Sequence, residues 1–359
     1  MRIFQMLPVF ALGDAIGNEV IMLDKLMREK GYETCIFCEI ASEETGKISL
    51  HYSNIPKLDN NDIILYHMSY SSILTFLFSN IKCKKIMVYH NITPPDFFYG
   101  YHFIPYKNCY KGLEETLYLS NKIDYCFAVS EFNKKDLENI GYTCKIDVLP
   151  ILLSFDDYKK KPSEKIIDKY SDGTTNILSV GRINAPHKRW ENIIKTFYFY
   201  QKNADKNARL FLVGSYGTDE IYPKRLMSYV KDMGLDNVIF TGHIPFDEIL
   251  AYYKIADIYL CMSEHEGFCV PLLEAMLFNK PIVAYSSTAI PYTLGDAGFL
   301  LNNNDPLETA LVIDRILKDR ILYDEIVRKQ NERLSFFDIQ RVSGLFLQYI
   351  EDFIKNNIS

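Results

Sequence analysis

Residues 263–276 read SEHEGFCVPLLEAM and form the most informative stretch of the chain. They follow an apolar segment, DIYLCM, that is typical of a buried strand, and Pro271 suits a first helical turn because its missing N–H costs nothing there. The N–H groups from about Gly267 to Leu273 then include the unpaired donors of a helix start, which bind phosphate well. The stretch therefore predicts a strand–loop–helix turn with an anion site.

Two carboxylates flank this helix start, because Glu266 and Glu274 are separated by seven residues. Glu266 lies in the loop, where phosphates and a sugar would be near. Glu274 lies about one turn into the helix, where a carboxylate can accept hydrogen bonds from two vicinal hydroxyls. On the residues alone, an ordinary turn with two surface carboxylates remains open as the alternative.

A second segment, residues 176–190, reads NILSVGRINAPHKRW. Its strand ends at Gly181 and Arg182, and Lys188 follows six residues later near a helix start. Two cations beside a helix N-terminus suit a leaving diphosphate, whose growing negative charge they stabilise. A solvated basic loop is the alternative interpretation of the same residues.

Strand and helix patterns alternate along the whole chain, which predicts parallel sheets with right-handed crossovers. The predicted strands are Ile3–Leu7, Thr34–Glu39, Asp62–His67, Lys85–His90, Tyr125–Ser130, Asn176–Val180, Arg209–Val213, Val238–Thr241, Ile258–Met262 and Pro281–Tyr285. The predicted helices include Asn18–Glu29, Glu131–Ile140, Trp190–Lys202, Ile221–Met233, Pro245–Lys254, Pro271–Leu277, Asp305–Lys318 and Ile339–Lys355.

This alternation is interrupted once, which predicts an α/β chain of two Rossmann-like domains. Residues 1–158 form the first domain, the polar segment 159–175 is the linker, and residues 176–335 form the second. Residues 336–359 carry a last helix with one continuous apolar stripe, so we expect it to cross back and pack on the first domain. The stripe comprises Val342, Leu345, Phe346, Tyr349, Ile350 and Phe353.

Composition excludes several classes of protein. The net charge of −6 and the pI near 5.7 argue against a nucleic-acid binder, and no run reaches the roughly 18 apolar residues of a membrane span. The eight cysteines are scattered in apolar stretches, which favours buried, reduced thiols in a cytoplasmic protein. Cys35 and Cys38 form a CxxC, but they lie in a predicted strand without a second pair at zinc spacing.

Taken in order, SVGR…HK, FLVG, VIFTGHI, EHEGFCVPLLEAM and NKPIVA cover nearly all of residues 176–300 and resemble the retaining glycosyltransferases of family 4, which have the GT-B fold. In the first half, VYHNITPP, GDAIGNEV and AVSEFNKKDL agree more loosely. The resemblance implies two domains facing each other across a cleft, with the nucleotide-sugar donor in the C-terminal domain. It also places the last helix across that cleft.

The resemblance also implies residue roles, which we expect at the matching positions. Arg182 and Lys188 would hold the donor diphosphate, Glu266 would contact the transferred sugar and the reaction centre, and Glu274 would hold the ribose. The remaining expected donor contacts are Gly267 and the backbone near Phe268 and Cys269 at the phosphates and sugar, His243 near the base, His90 facing the sugar from the first domain, and Gly13 beside the phosphates.

Two positions depart from the family pattern. The family usually has a glycine after its lysine, whereas this chain has Arg189. Its first loop often has two adjacent glycines, whereas this chain has Gly13 alone. Asp156–Asp157 is the nearest approach to an Asp-x-Asp pair and falls near the linker, so we expect no metal and no cofactor besides the donor substrate.

The expected activity is therefore metal-independent, retaining transfer of a hexose, with mannose preferred, from a GDP- or UDP-linked donor to a glycan or lipid-linked acceptor in surface polysaccharide synthesis. The expected place is the cytoplasm, with peripheral contact to the inner face of the membrane left open, as is the oligomeric state. Two alternatives are a GT-B-fold nucleotide-sugar epimerase and a catalytically silent nucleotide-sugar-binding subunit. The epimerase would isomerise the donor without an acceptor, and the silent subunit would usually lack one of the charged residues found here.

Overall fold

The structure is a computed structural model that describes residues 1–217 and 220–358. The chain forms two compact units, each built on one sheet: unit 1 comprises Met1–Asp96, Ile104–Leu153 and Phe337–Ser359, and unit 2 comprises Phe97–Phe103 and Ser154–Phe336. The strands are β1 (Arg2–Phe10), β2 (Glu33–Ala41), β3 (Leu50–His51), β4 (Ile63–Met68), β5 (Lys84–Tyr89), β6 (Tyr125–Ala128), β7 (Lys145–Val148), β8 (Asn176–Val180), β9 (Arg209–Val213), β10 (Val238–Phe240), β11 (Ile258–Cys261), β12 (Ile282–Tyr285) and β13 (Phe299–Leu301). The helices are α1 (Ala15–Glu29), α2 (Leu74–Asn80), α3 (Phe103–Leu119), α4 (Glu131–Ile140), α5 (Glu164–Tyr170), α6 (Trp190–Asn203), α7 (Ile221–Asp232), α8 (Phe246–Ile255), α9 (Val270–Leu277), α10 (Ile290–Leu294), α11 (Pro306–Lys318), α12 (Arg320–Leu334) and α13 (Ile339–Asn357).

Both sheets are parallel and have the same doubly wound order. In unit 1 the order is β3-β2-β1-β4-β5-β6-β7, and in unit 2 it is β10-β9-β8-β11-β12-β13. Each order reverses direction at one point, between β1 and β4 and between β8 and β11, and such a point opens a crevice at the carboxyl ends of the strands. The predicted pair of Rossmann-like domains is confirmed.

Local sequence explains why the elements form and end where they do. The β4 segment IILYHM is buried along its length, as expected for a central strand covered on both faces. Helix α4 begins at Ser130, whose side chain accepts a hydrogen bond from Asn133 N–H, and ends at Gly141 in the left-handed conformation. Short elements such as β3 and β13 were missed because two or three residues carry no periodicity.

The predicted linker, residues 159–175, is wrong. The segment contains α5, which packs on α8 with Ile166 buried, and Ser163 N–H donates to the carbonyl of Asp247 over 2.9 Å. The Tyr170 ring also meets Phe211 at 4.9 Å between centroids. Its lysines and aspartates cover the exposed side of a short helix, so their composition resembled that of a linker. The first predicted domain also included residues 97–103, which belong to unit 2.

Helix α13 belongs to unit 1. Asp338 caps it by accepting from Gln340 N–H, and the apolar stripe is turned inward with Phe346 fully buried. The Phe346 ring lies 5.9 Å from Phe127 of β6, and Lys30 of α1 forms an ion pair with Glu351 at 3.1 Å. Within residues 1–217 and 220–358, no helix is both long and apolar enough to cross a membrane.

Candidate functional site

The carboxyl ends of β8 and β11 carry the two segments that the sequence singled out. These strands are direct neighbours, with Ile258 paired to Ile177, so the loop after Val180 and the loop after Cys261 emerge side by side. This is the reversal point of the unit 2 sheet, where doubly wound folds bind their ligands. The residues gathered there are called the unit 2 site, and they comprise Arg182, Lys188, Glu266, Gly267, Phe268, Cys269 and Glu274.

Lys188 and Glu266 form a buried ion pair in this site. Lys188 Nζ donates to Glu266 Oε1 over 2.7 Å, and the two side chains are only 15% and 11% exposed. Gly181 makes room for the lysine, because a Cβ there would lie 2.8 Å from Lys188 Cδ. Gly214 is needed for the same loop, because its Cβ would lie 1.9 Å from the carbonyl oxygen of Gly181. The absence of side chains at Gly181 and Gly214 therefore allows the Lys188 side chain to pack against the loop that follows β8.

Each partner of this pair keeps the other charged. Burial alone would lower the pKa of Lys188, but the Glu266 carboxylate outweighs it and the pKa of Lys188 is raised. Burial alone would raise the pKa of Glu266, but the charge of Lys188 outweighs it and the pKa of Glu266 is lowered. Both groups are therefore ionised at neutral pH. An anion that binds the Lys188 ammonium must compete with Glu266 for its hydrogen bonds.

Arg189 occupies a conformation that favours glycine. Its φ of +53° and ψ of 48° are left-handed, which explains why a glycine is usual at this position. Its guanidinium bonds Glu264 over 2.5 Å and lies 5.8 Å from the centre of the Phe97 ring. These contacts offset part of the backbone strain, so the departure noted in the sequence is accommodated locally.

The start of α9 presents backbone donors beside the ion pair. Cys269 precedes the helix with a φ of +73°, again left-handed, and its side chain is buried with the sulfur 4.0 Å from that of Cys261. The Thr293 hydroxyl donates to the carbonyl of Phe268, and Thr288 accepts from Glu266 N–H over 2.8 Å. The two threonines thus fix the loop before α9 by hydrogen bonds to its backbone. The N–H groups at the start of α9 remain oriented as an anion-binding helix terminus.

Glu274 is engaged by two tyrosines. Tyr158 donates its hydroxyl to Oε1 over 2.7 Å, and Tyr253 donates to Oε2 over 2.5 Å. Burial raises the pKa of Glu274 above its usual value, although the two hydroxyls act in the opposite direction. Each carboxylate oxygen has a second lone pair, so the group can still accept from two ligand hydroxyls. No sequence pattern pointed to Tyr158 or Tyr253, because both are distant in the chain.

The remaining predicted residues of unit 2 are at the edge of this arrangement. Arg182 is exposed after β8, and its carbonyl accepts from the indole N–H of Trp190 over 3.2 Å. His243 is exposed and follows Gly242, which forms a bridge with Gly214. Trp190 itself is buried, so it is a core residue that also fixes the loop carrying Arg182.

Aromatic residues from early in the chain complete unit 2 near the ion pair. The rings of Phe97 and Phe98 lie 5.9 and 6.0 Å from that of His187, the residue before Lys188. Burial and then the charge of Lys188 lower the pKa of His187 to about 3, so this imidazole is neutral. Sequence reasoning missed these contacts, because nothing in a single chain signals which aromatic segment joins the other sheet.

His90 and Gly13 lie in unit 1. His90 follows β5 and is buried, with Nε2 3.1 Å from His67 Nδ1 and 3.7 Å from Glu19 Oε2. Burial lowers the pKa of His90 to about 3. Gly13 has a φ of +78°, with open space where a Cβ would be, so it serves the turn and not a close approach. Gly17 is the tightly packed glycine of this loop, because its Cβ would lie 2.1 Å from the carbonyl oxygen of Ala11.

Among the described residues, two groups of side chains have ligand atoms close enough to share a metal ion. Glu19, His67 and His90 form one, and Cys261, Glu266 and Cys269 form the other, with all atoms of each group within 4.8 Å of one another. In the second group Glu266 is already bonded to Lys188. In the first, the contact between the two imidazoles has the distance of a hydrogen bond. Both groups are therefore also explained without an ion.

Comparisons with known proteins cover the part of the chain that contains this site. Residues 162–333 match the family model for glycosyl transferases group 1. A serotype-specific mannosyltransferase WbdA of Escherichia coli is 28% identical over 172 residues, which are 47% of this chain and 21% of that protein. An uncharacterised glycosyltransferase of Methanocaldococcus jannaschii is 27% identical over 76% of this chain and 69% of its own length. The chain thus matches about a fifth of the length of the mannosyltransferase.

Solved structures show the same fold over nearly the whole chain. HepE of Anabaena in complex with UDP-glucose has a TM-score of 0.76 at 16% identity, covering 98% of this chain and 100% of that one. WaaG, a glycosyltransferase involved in lipopolysaccharide biosynthesis, has a TM-score of 0.71 at 12% identity, covering 95% and 97%. Residues 162–333 are thus similar to the glycosyl transferases group 1, and the chain as a whole has the GT-B fold.

Proposed function

We propose that the protein transfers a hexose, with mannose preferred, from a nucleotide-diphosphate sugar to a glycan or lipid-linked acceptor, with retention of anomeric configuration. The observation that carries the proposal is the buried pair of Lys188 and Glu266 beside the start of α9. Two relatives named mannosyltransferases support the choice of sugar. The base stays open between GDP and UDP, and a lipid-linked acceptor would place the reaction at the inner face of the membrane.

The cations and the helix start would share the diphosphate. As the bond to the sugar breaks, the leaving phosphate gains negative charge, and groups that are already oriented stabilise it without reorganising. Lys188 is held charged by Glu266, and Arg182 lies shortly after β8, in the same loop that leads to Lys188. When the diphosphate accepts hydrogen bonds from the Lys188 ammonium, the hydrogen bond between Lys188 and Glu266 would weaken, and Glu266 could then contact the sugar. The leaving phosphate would accept the acceptor proton on the same face.

Glu274 would hold the ribose. Its two oxygens are aligned by Tyr158 and Tyr253, so the carboxylate does not need to be ordered when the ligand arrives. The backbone near Phe268 and Cys269 would meet the phosphates and sugar, with His243 near the base. His90 would contact the sugar and Gly13 the phosphate side.

We further propose that no metal ion takes part, because side-chain cations and backbone donors do the work that a divalent ion does elsewhere. Activity should survive EDTA, and full loss that Mg²⁺ or Mn²⁺ restores would contradict this proposal.

A screen of UDP-, GDP-, CDP- and ADP-linked sugars, read by thermal shift and by turnover, tests the activity. We expect one donor to raise the melting temperature and to be consumed only when an acceptor is added. Donor isomerisation in the absence of acceptor would overturn the transferase proposal. A thermal shift without any consumption, against a panel of glycan and glycolipid acceptors, would indicate a binding subunit.

A further inference from the structure

A chain of buried polar side chains crosses the unit 1 sheet below His90. Gln5 lies on β1, His67 on β4, and His90 directly after β5, and these three strands are neighbours. Gln5 and His67 have no exposed surface, and His90 has a side chain that is 3% exposed. Buried polar groups in a sheet core are costly unless each finds a partner. We call Gln5, His67 and His90 the histidine chain.

The direction of the hydrogen bonds in the histidine chain is fixed from one end. Gln5 Nε2 donates to the backbone carbonyl of Val20 over 2.9 Å, and only an N–H can do so. Gln5 Oε1 therefore faces His67 Nε2, at 3.0 Å, and because this oxygen can only accept, His67 must carry its proton on Nε2. The neutral His67 ring then has a bare Nδ1, which lies 3.1 Å from His90 Nε2.

The same logic fixes the proton of His90. A bare His67 Nδ1 accepts, so His90 must donate from Nε2, and its own Nδ1 carries the lone pair. Glu19 Oε2, 3.7 Å from His90 Nε2, is compatible with a proton on that nitrogen. Glu19 is itself held by Leu152 N–H, which donates to Oε1 over 3.2 Å. His90 Nδ1 is buried and has no hydrogen-bond partner among the described residues.

We propose that Gln5 and His67 are positioning residues, which hold His90 in the Nε2–H tautomer so that its bare Nδ1 accepts a hydrogen bond from a sugar hydroxyl. The hydroxyl contact rests on the proposed function, whereas the tautomer does not. A histidine without this support has two neutral forms, and in the other form Nδ1–H would oppose a donating hydroxyl. The histidine chain thus selects a hydroxyl donor as the partner of His90 and excludes an acceptor such as a carboxylate or a phosphate oxygen.

Nuclear magnetic resonance of the ¹⁵N-labelled histidines tests the tautomer in the protein without ligand. We expect His67 and His90, assigned by loss of signal in His67→Gln and His90→Asn, to show a protonated Nε2 and a bare Nδ1. In Gln5→Met the His90 ring should populate the other tautomer. A proton on His90 Nδ1 in the wild type would overturn the proposal, as would stoichiometric zinc bound by Glu19, His67 and His90, since the metal would take the place of the proton.

A double-mutant cycle tests whether Gln5 acts through His90. We expect Gln5→Met to lower turnover several-fold, with an unchanged pH profile. The side-chain oxygen of His90→Asn can accept without a tautomer, so adding Gln5→Met to His90→Asn should cause no further loss. Additive losses would overturn the proposal in favour of a merely structural role.

Gln330→Met is the matched control, because Gln330 is equally buried and donates to the carbonyl of Lys280 over 2.9 Å in the other unit. The fold-change in turnover that Gln330→Met causes should be the same in the wild-type protein and in His90→Asn. If no donor is turned over at all, the proposed function fails, while the tautomer experiment still decides the state of His90.

Discussion

Two buried carboxylates, one in each unit, have opposite electrostatic surroundings. Glu266 faces an ammonium at 2.7 Å, so its pKa is lowered although it is buried. Glu19 faces neutral imidazoles and one backbone N–H, so burial raises its pKa to about 8. The same side chain is thus held as an anion in unit 2 and favours its neutral form in unit 1 near neutral pH.

This difference indicates which ligand chemistry each region suits. The unit 2 site contains fixed charges of both signs at a helix start, which suits a ligand with concentrated negative charge. The region around His90 contains neutral donors and acceptors, since burial lowers the pKa of both His67 and His90. Such a region suits hydroxyl groups. A nucleotide sugar carries both kinds of group, a charged diphosphate and a neutral pyranose.

The largest expected effect is that of removing the unit 2 cation. Lys188→Ala should lower turnover about 10²–10³-fold, the cost of losing one preorganised charge partner of a transition state. Donor affinity should change less, because the leaving diphosphate gains charge only as the bond breaks. Steady-state kinetics measures both, with the exposed Lys202→Ala as the control. Unchanged turnover with a raised KM would assign Lys188 to uniform binding instead.

This variant also leaves Glu266 buried without its cation, which typically destabilises a protein by about 3–5 kcal/mol. Lys188→Ala combined with Glu266→Gln removes both charges and should recover most of that stability. Turnover should not recover in the double variant. Melting curves beside kinetics therefore separate loss of fold from loss of chemistry, and recovered turnover would contradict a direct role for the ammonium.

A smaller effect is expected at Glu274. Glu274→Ala should weaken binding of the nucleoside diphosphate roughly ten- to hundredfold, because hydrogen bonds to a charged group contribute about 1.5–3 kcal/mol. Calorimetry measures this affinity directly. Glu191→Ala is a matched control, since Glu191 accepts from the Tyr222 hydroxyl over 2.7 Å in a similar, partly buried pair. Equal affinities in wild type and Glu274→Ala would refute the ribose contact.

Much of the fold was predictable because long amphipathic or buried segments carry a clear period. The strands β8 and β9 and helix α4 have the predicted bounds, since each is a continuous apolar or amphipathic run ended by a glycine or a turn. Helix α5 was not predicted, because Ile166 is the one buried residue of this short helix and a single apolar position carries no period. Helix α12 was missed for a related reason, since only Ile326 and Gln330 are buried.

In the candidate site, local motifs were predictable and tertiary partners were not. The segments around Lys188 and Glu266 contain their own strand ends and helix starts, so their neighbourhood follows from the parallel order of β8 and β11. The tyrosines on Glu274 come from positions 116 and 21 residues away. The partner of His90, His67, lies on another strand, and the partner of His67, Gln5, lies on a third. No single-chain pattern connects such positions, because only the folded sheet brings them together.

The contrast between the carboxylates gives opposite pH dependences of stability. Folded Glu19 keeps its proton up to about pH 8, whereas the unfolded chain releases it near 4.5, so stability falls as pH rises between these values. The unfolding free energy of Glu19→Gln minus that of wild type should therefore grow by about 2 kcal/mol from pH 6 to pH 8. Urea titrations at both pH values measure it. A difference between Glu19→Gln and wild type that stays constant from pH 6 to pH 8 would show that the burial of Glu19 is compensated. Glu266, by contrast, has a lowered pKa, so the stability that it contributes should be lost as pH falls below about 4.5.

The smallest effect is expected where the unit 2 loop departs from its family pattern. Arg189→Gly removes a left-handed strain of about 1–2 kcal/mol, since glycine adopts this conformation freely. It also removes the contact to Glu264 and adds backbone entropy to the unfolded chain, losses of about 0.2–1 kcal/mol each. The melting temperature should therefore change by only a few degrees, in either direction. Arg189→Ala keeps the strain and loses the contact, so it should be less stable than Arg189→Gly. The reverse order would show that the guanidinium, and not the backbone, determines which residue this loop requires.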